Sequence, residues 1–138
     1  MKLKKAQEIL SKVKLLLPYR KITAGSIRRK EPEVGDIDII ILVPKLENKL
    51  SQLNFDFIIF GKRRIQFKFM GATIDLFISL VDELPFMKLQ YFNTTEDNIK
   101  YRAICKSHGY KLNQYGLFKD GKKVNDGLSK VMELKLNS

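Results

Sequence analysis

The sequence predicts an α+β fold: a small mixed β-sheet backed by helices, followed by a helix-plus-hairpin appendage. Three observations carry that prediction. The N-terminal stretch repeats apolar residues at helical spacing, and the middle of the chain holds short strand-like runs punctuated by glycine and proline. After Pro85 the pattern turns helical again and then ends in a hairpin signal.

In order, Lys2 to Leu17 places Leu3, Ala6, Ile9, Leu10, Val13, Leu16 and Leu17 on one helical face, with lysines on the outer face, and Pro18 stops the helix. Lys21 to Ala24 reads as a short strand. Asp36 to Val43 reads as a buried strand ended by Pro44, and Leu46 to Leu53 has helical character. Three strand runs follow, Asp56 to Phe60, Arg64 to Phe69 and Thr73 to Ile78, with hairpin turns expected at Gly61-Lys62 and Gly71. Beyond Pro85, helical stretches are expected around Phe86 to Tyr91 and Glu96 to Ser107. Tyr110 to Phe118 then reads as a strand turning at Asp120-Gly121 into Lys122 to Val124. The change of pattern near residues 80–92 divides the chain into an expected 1–84 and 85–138.

At 138 residues the chain suits one compact domain or two small subdomains sharing a core. Hydrophobic residues at 44% and charged residues at 30% are enough for a foldable core. A formal net charge of +11 directs attention to polyanions, nucleic acid first and an anionic membrane surface second. The longest apolar run, from Ile37 to Val43 and broken by Asp38, is far short of a bilayer span, so no membrane helix is expected. No apolar leader segment follows the basic N-terminus, and an intracellular, non-secreted protein is expected. One cysteine, Cys105, and one histidine, His108, exclude an internal disulfide and a zinc-ligand cluster.

The chemistry is concentrated in carboxylates. On a strand, side chains i and i+2 share a face with Cα atoms roughly 6–7 Å apart, so Asp36 and Asp38 can grip one small cation cluster, and Asp75 can reach it from a second strand. Like charges so close are costly, so either divalent metal or a proton occupies such a cluster. Hydroxyl and cationic side chains nearby suit a triphosphate.

The stretch Gly25-Ser26-Ile27-Arg28-Arg29, then Gly35-Asp36-Ile37-Asp38-Ile39, then Thr73-Ile74-Asp75-Leu76-Phe77 resembles the signature of the nucleotidyltransferase superfamily, specifically of family X DNA polymerases. Tyr91-Phe92, Arg102-Ala103 and Gly109 to Phe118 resemble that family's thumb segment. The resemblance covers about residues 20 to 120 and lies nearest the viral-type polymerases built of palm and thumb only. It implies a nucleotidyltransferase palm over 1–84 and a thumb over 85–138, with two Mg²⁺ ions, or Mn²⁺, held by the catalytic residues Asp36, Asp38 and Asp75. It further implies nucleotide contacts from Gly25, Ser26, Arg29, Gly35, Tyr91, Phe92 and Asn98, and DNA contacts from Arg102 and Lys111. The implied partners are gapped or primed duplex DNA and a dNTP, with no membrane, and the protein is expected as a monomer.

Residues of ordinary role compete with these assignments. Tyr91-Phe92 also suits a helix-end core, and the lysine-rich face of the first helix is either solvated or a non-specific DNA contact. Four departures from the family pattern stand out: Asn93-Thr94-Thr95 replaces the usual glycine after the aromatic pair, Lys30 follows the paired arginines where glycine is common, Thr73 stands where arginine often precedes the third aspartate, and the tail after Val124 is abbreviated. The short stretch before Gly25 leads to an expectation of no deoxyribose-phosphate lyase activity. The leading reading is a template-directed polymerase filling short gaps in repair. The alternatives are a nucleotidyltransferase acting on RNA or protein, and a catalytically idle nucleic-acid-binding module.

Overall fold

In a computed structural model, which describes residues 1–138, the chain divides into two compact units, Met1–Val81 and Asp82–Ser138. The first begins with α1, Leu3–Lys14, whose buried Ala6, Ile9, Leu10 and Val13 follow the helical period of the sequence. Next come β1, Arg20–Thr23, the single helical turn α2, Gly25–Arg28, and β2, Ile37–Leu42. A 3₁₀ turn at Lys49–Gln52 precedes β3, Asp56–Phe60, β4, Arg64–Phe69, and β5, Ala72–Ser79. The helical character read at 46–53 is thus confined to that turn, whose Asn48 cap accepts a hydrogen bond from the Leu50 amide at 2.8 Å.

The sheet order is β1-β2-β5-β4-β3, mixed because β2 and β5 run parallel while the other neighbours are antiparallel. One face carries Ile37, Ile39 and Ile41 of β2, Ile65 and Phe67 of β4, and Ile74, Leu76 and Ile78 of β5, all packed with α1 in one apolar core. Phe67 is fully enclosed and stacks on Phe55 with ring centroids 4.1 Å apart. Alternation along each strand therefore sends Asp38, Gln66 and Asp75 to the opposite face. The β4–β5 hairpin turns at Met70 and Gly71, both at positive φ (53° and 78°), as a two-residue turn of primed type requires. Gly61 does not adopt positive φ, and the β3–β4 connection is a longer loop closed by the Gly61 amide on the Arg64 carbonyl at 2.9 Å.

The second unit opens with a 3₁₀ turn, Val81–Glu83, that straddles the division, then α3, Leu84–Phe92, and α4, Thr95–Ser107. Thr94 caps α4 by accepting from the Asp97 amide at 3.2 Å, with Glu96 and Asp97 in the first turn where acidic side chains favour the helix dipole. The stretch read as one strand from Tyr110 to Phe118 is instead a hairpin, β6, Lys111–Asn113, and β7, Gly116–Lys119. Asn113 makes the difference: its side-chain oxygen accepts from the Tyr115 and Gly116 amides at 2.8 and 3.2 Å and bends the chain. Asp120 and Gly121, at φ 52° and 76°, turn into the short β8, Lys122–Lys123.

The tail after Val124 forms a helix that the sequence reading did not place, α5, Gly127–Leu136, whose Val131 and Leu134 join Phe86, Cys105, Leu112 and Leu117 in the core of this unit. Gly127 lies close enough to Phe86 and Leu117 that a Cβ would sit 2.8 Å from the Phe86 ring. The Cys105 thiol is fully buried in that core, and burial pushes its pKa up, which leaves it unreactive. No helix is long and apolar enough to cross a membrane.

Candidate active site

In the first unit the carboxylate face is built by three neighbouring strands. Asp38 on β2 and Asp75 on β5 are register partners across a parallel pair, so their side chains leave the same face of the sheet one strand spacing apart. Asp36 lies one residue ahead of β2, exposed in the bend that leads into it, rather than on the strand itself. Asp75 is 3% exposed, while Asp38 is half-buried.

The electrostatics register this crowding. The Asp38 carboxyl is pushed up from 3.8 to about 6, first by burial and then by the charges of Asp75 and Asp36, against the opposing pull of Arg29 and Arg64. A carboxyl with a raised folded-state pKa adds stability below its unfolded value, and that contribution is lost as pH rises through the folded value. In EDTA, therefore, raising the pH between about 4 and 7 should lower the melting temperature of the wild-type chain relative to Asp38→Asn, whose side chain stays neutral. Calorimetry of both proteins across that range measures the difference, and a pH-independent difference would contradict the crowding.

Gly25 completes the approach to Asp38. It holds φ at 63°, and a Cβ there would overlap Asp38 Oδ2 and lie 3.0 Å from its Cγ. The Ala24 amide donates to the Asp38 carbonyl at 3.0 Å, which fixes the start of α2 against β2. Ser26 is half-buried on α2, and its carbonyl accepts from the Glu31 amide at 3.0 Å. Arg29 caps α2 by donating its backbone amide to the Gly25 carbonyl at 3.1 Å, its guanidinium donates to Glu31 at 3.1 Å, and Arg28 donates to the Thr23 carbonyl at 3.1 Å and braces the loop. Lys30 stands at φ 56°, a conformation that favours glycine. Gly35 is exposed with open space around its α-carbon.

Sequence reasoning missed two residues of this face. Arg64 donates from Nε and Nη2 to the two oxygens of Asp75 at 2.8 and 3.1 Å, and Gln66 Nε2 donates to Asp75 Oδ2 at 3.1 Å. Thr73 makes no bond to Asp75 in place of arginine; its hydroxyl accepts from Lys68 Nζ at 2.7 Å. The polar alternation Arg64, Gln66, Lys68 along β4 was the available signal, since a two-residue turn at 70–71 sets Gln66 opposite Asp75.

A divalent cation fits the donor set in kind, because carboxylate oxygens are the hard ligands Mg²⁺ prefers, and three carboxylates within mutual electrostatic reach need a counter-charge. No three side chains are already gathered as metal ligands, however. Asp75 is turned to Arg64 and Gln66, which occupy three of the roughly four acceptor positions a carboxylate offers.

In the second unit Tyr91 and Phe92 end α3, both half-buried. Asn98 and Arg102 on α4 converge on Gln90: Asn98 Nδ2 donates to the Gln90 carbonyl at 2.6 Å, and Arg102 Nη2 donates to Gln90 Oε1 at 2.7 Å. Gln90 thus ties both residues to the helix that carries the aromatic pair. Lys111 is exposed on β6, beside a surface hollow also lined by Lys106, Tyr110 and Phe118.

The first unit is thus a mixed sheet with two aspartates in register on the face opposite its helix-packed core. No family model matches the chain. In sequence it is 35% identical over 111 residues to Repair DNA polymerase X of African swine fever virus, isolate Tick/South Africa/Pretoriuskop, and 33% identical over 111 residues to that of strain Badajoz. Each match covers 72% of this chain, and the chain spans 64% of the length of these curated relatives. In structure it is similar to Leishmania infantum polymerase beta in a ternary gap complex, with a TM-score of 0.67 and 19% identity over 88% of this chain and 52% of the other. The same polymerase in a ternary P/T complex gives a TM-score of 0.60 and 23% identity over 86% of this chain and 53% of the other. Those two likenesses show the fold, which is that of polymerase beta. In sequence the chain is similar to these viral Repair DNA polymerase X proteins.

Proposed function

We propose that the chain is a DNA-directed DNA polymerase of family X type, which transfers a nucleotide from a dNTP to a primer 3′-hydroxyl and fills short gaps in repair. The observation that carries this reading is the pairing of Asp38 with Asp75 across β2 and β5, with Asp36 close by and the Gly25 backbone against the Asp38 carboxylate. The similarity to viral repair polymerases supports it, as does the gapped and primed DNA named for the polymerase beta structures of like fold. In this reading 1–84 is the palm and 85–138 the thumb.

Asp36, Asp38 and Asp75 would hold two Mg²⁺ ions, which when bound supply activation of the 3′-hydroxyl and charge stabilisation of the leaving pyrophosphate. Ser26 and Arg29 would hold the β and γ phosphates, with the Gly35 amide facing the same anion. Gly25 keeps the α2 backbone close to Asp38, where any larger residue would intrude. Tyr91 and Phe92 would offer aromatic faces beside the incoming sugar and base, a contact that tolerates every base. Asn98 would reach the minor-groove edge of the new pair, Arg102 the template strand and Lys111 a DNA phosphate. Gln90, which holds Asn98 and Arg102 at once, would set their spacing.

The test is extension of a labelled primer on a single-nucleotide-gapped duplex and, separately, of the unpaired primer, with each dNTP in turn. Addition of the templated nucleotide alone is expected. Extension of the lone primer would instead indicate terminal transfer, and no extension under Mg²⁺ or Mn²⁺ would defeat the reading. Because the chain carries +11, its duplex affinity should also fall with salt, by a log-log slope of about −0.9 for each phosphate neutralised. A flat response would remove DNA as the partner.

A further inference from the structure

Asp75 is the most enclosed carboxylate of the candidate site, with its side chain 4% exposed against 46% for Arg64. Three hydrogen bonds from β4 hold it: Arg64 Nε to Oδ1 at 2.8 Å, Arg64 Nη2 to Oδ2 at 3.1 Å, and Gln66 Nε2 to Oδ2 at 3.1 Å. The strand register explains this grip. Gln66 is the direct cross-strand partner of Asp75, whereas Arg64 pairs with Phe77, so its side chain runs diagonally back across the face to reach the carboxylate. Its guanidinium carbon lies 5.8 Å from the centroid of the Phe77 ring, which restricts where the planar group can lie. A fork of two N–H donors fixes both oxygens and the plane of a carboxylate, and a point charge such as an ammonium does not.

We propose that Arg64 is a positioning residue for Asp75, and that its planar fork, not its charge, keeps the third carboxylate oriented for nucleotidyl transfer. The proposal rests on the polymerase reading of the same site. It differs in sign from a purely electrostatic role. Removing a cation beside an anionic site strengthens divalent-cation binding by simple Coulomb attraction, whereas losing the group that orients a ligand weakens it.

The experiment compares the wild type with Arg64→Lys and Arg64→Ala, each checked for folding by circular dichroism. Mn²⁺ binding is titrated by electron paramagnetic resonance, and single-nucleotide gap filling is measured at saturating dNTP. Both variants are expected to bind Mn²⁺ more weakly and to fill gaps more slowly, each on the order of 10–100-fold, with the KM for dNTP unchanged. Arg64→Lys keeps the charge and is the variant expected to fold in either case. Tighter Mn²⁺ binding by Arg64→Ala, or wild-type binding and rate in Arg64→Lys, would overturn the proposal. So would a wild-type chain that binds no Mn²⁺. A wild-type chain that binds Mn²⁺ yet extends no primer would defeat the polymerase reading and leave Arg64 judged by the Mn²⁺ series alone.

Discussion

Asp36→Ala is expected to lower nucleotide incorporation by at least 10²–10³-fold, on the order of the loss when one preorganised charge-stabilising group is removed from an active site, while sparing duplex affinity. Two features of the position separate chemistry from folding. Asp36 is exposed in the bend before β2, outside the core formed by α1 and the sheet, so its truncation removes no buried contact. Surface truncations of that kind change stability by about 0.5 kcal/mol or less. Its charge is also one of those that raise the Asp38 pKa, so its loss eases repulsion in the metal-free protein. The variant should therefore melt no lower than wild type in EDTA. Single-turnover gap filling, fluorescence anisotropy on the same gapped duplex and a melting curve measure the three quantities. Turnover within a few-fold of wild type would remove Asp36 from the reaction.

The parts of this site legible in the sequence are those written within one contiguous segment. Gly25-Ser26 and Asp36 with Asp38 stand out by residue type and local spacing, and Asp75 by the resemblance of Thr73 to Phe77 to the family's third signature segment. The apolar runs fix the strands to within a residue or two, because period-two alternation and the Met70-Gly71 turn are local properties. What was not legible depends on strand order and register. That β5 lies beside β2 brings Asp38 and Asp75 side by side, and no local spacing states it, whereas the approach of Gln66 and Arg64 to Asp75 follows from the local hairpin turn and went unread. Asn113 hid a turn inside an otherwise strand-like run, since its side chain supplies hydrogen bonds that a strand would take from a neighbour. Helix α5 was missed for a similar reason. It opens on Asn125-Asp126-Gly127, which reads as a turn, and Asp126, although of a type that starts helices, stands at the N-cap without a side-chain bond to the helix backbone.

Gly25→Ala joins backbone conformation to the carboxylates most directly, and it is expected to cost both stability and activity. At φ 63° an alanine pays about 1–2 kcal/mol for the left-handed region alone. Its Cβ would also overlap Asp38 Oδ2 and lie 3.0 Å from Cγ, so either the Asp38 side chain swings away or the α2 turn moves off β2. The second route is resisted by the Ala24 amide bonded to the Asp38 carbonyl and by Ile27 buried in the core. The carboxylate therefore moves, and it leaves the position opposite Asp75 that the proposed reaction uses. Gap filling should fall by about 10²-fold, the order expected when a reacting geometry is misplaced by 1 Å. Shortening the partner separates the two costs. In an Asp38→Ala background the carboxylate is gone and only the φ strain and a 3.1 Å contact with the remaining Cβ are left, so Gly25→Ala should destabilise that background less than it destabilises wild type. The difference is a coupling of roughly 0.5–3 kcal/mol, the range found for residues in contact. Urea unfolding of the four proteins in EDTA measures it. An additive cycle would mean that the carboxylate does not lie against the Gly25 backbone and that the glycine serves the turn alone.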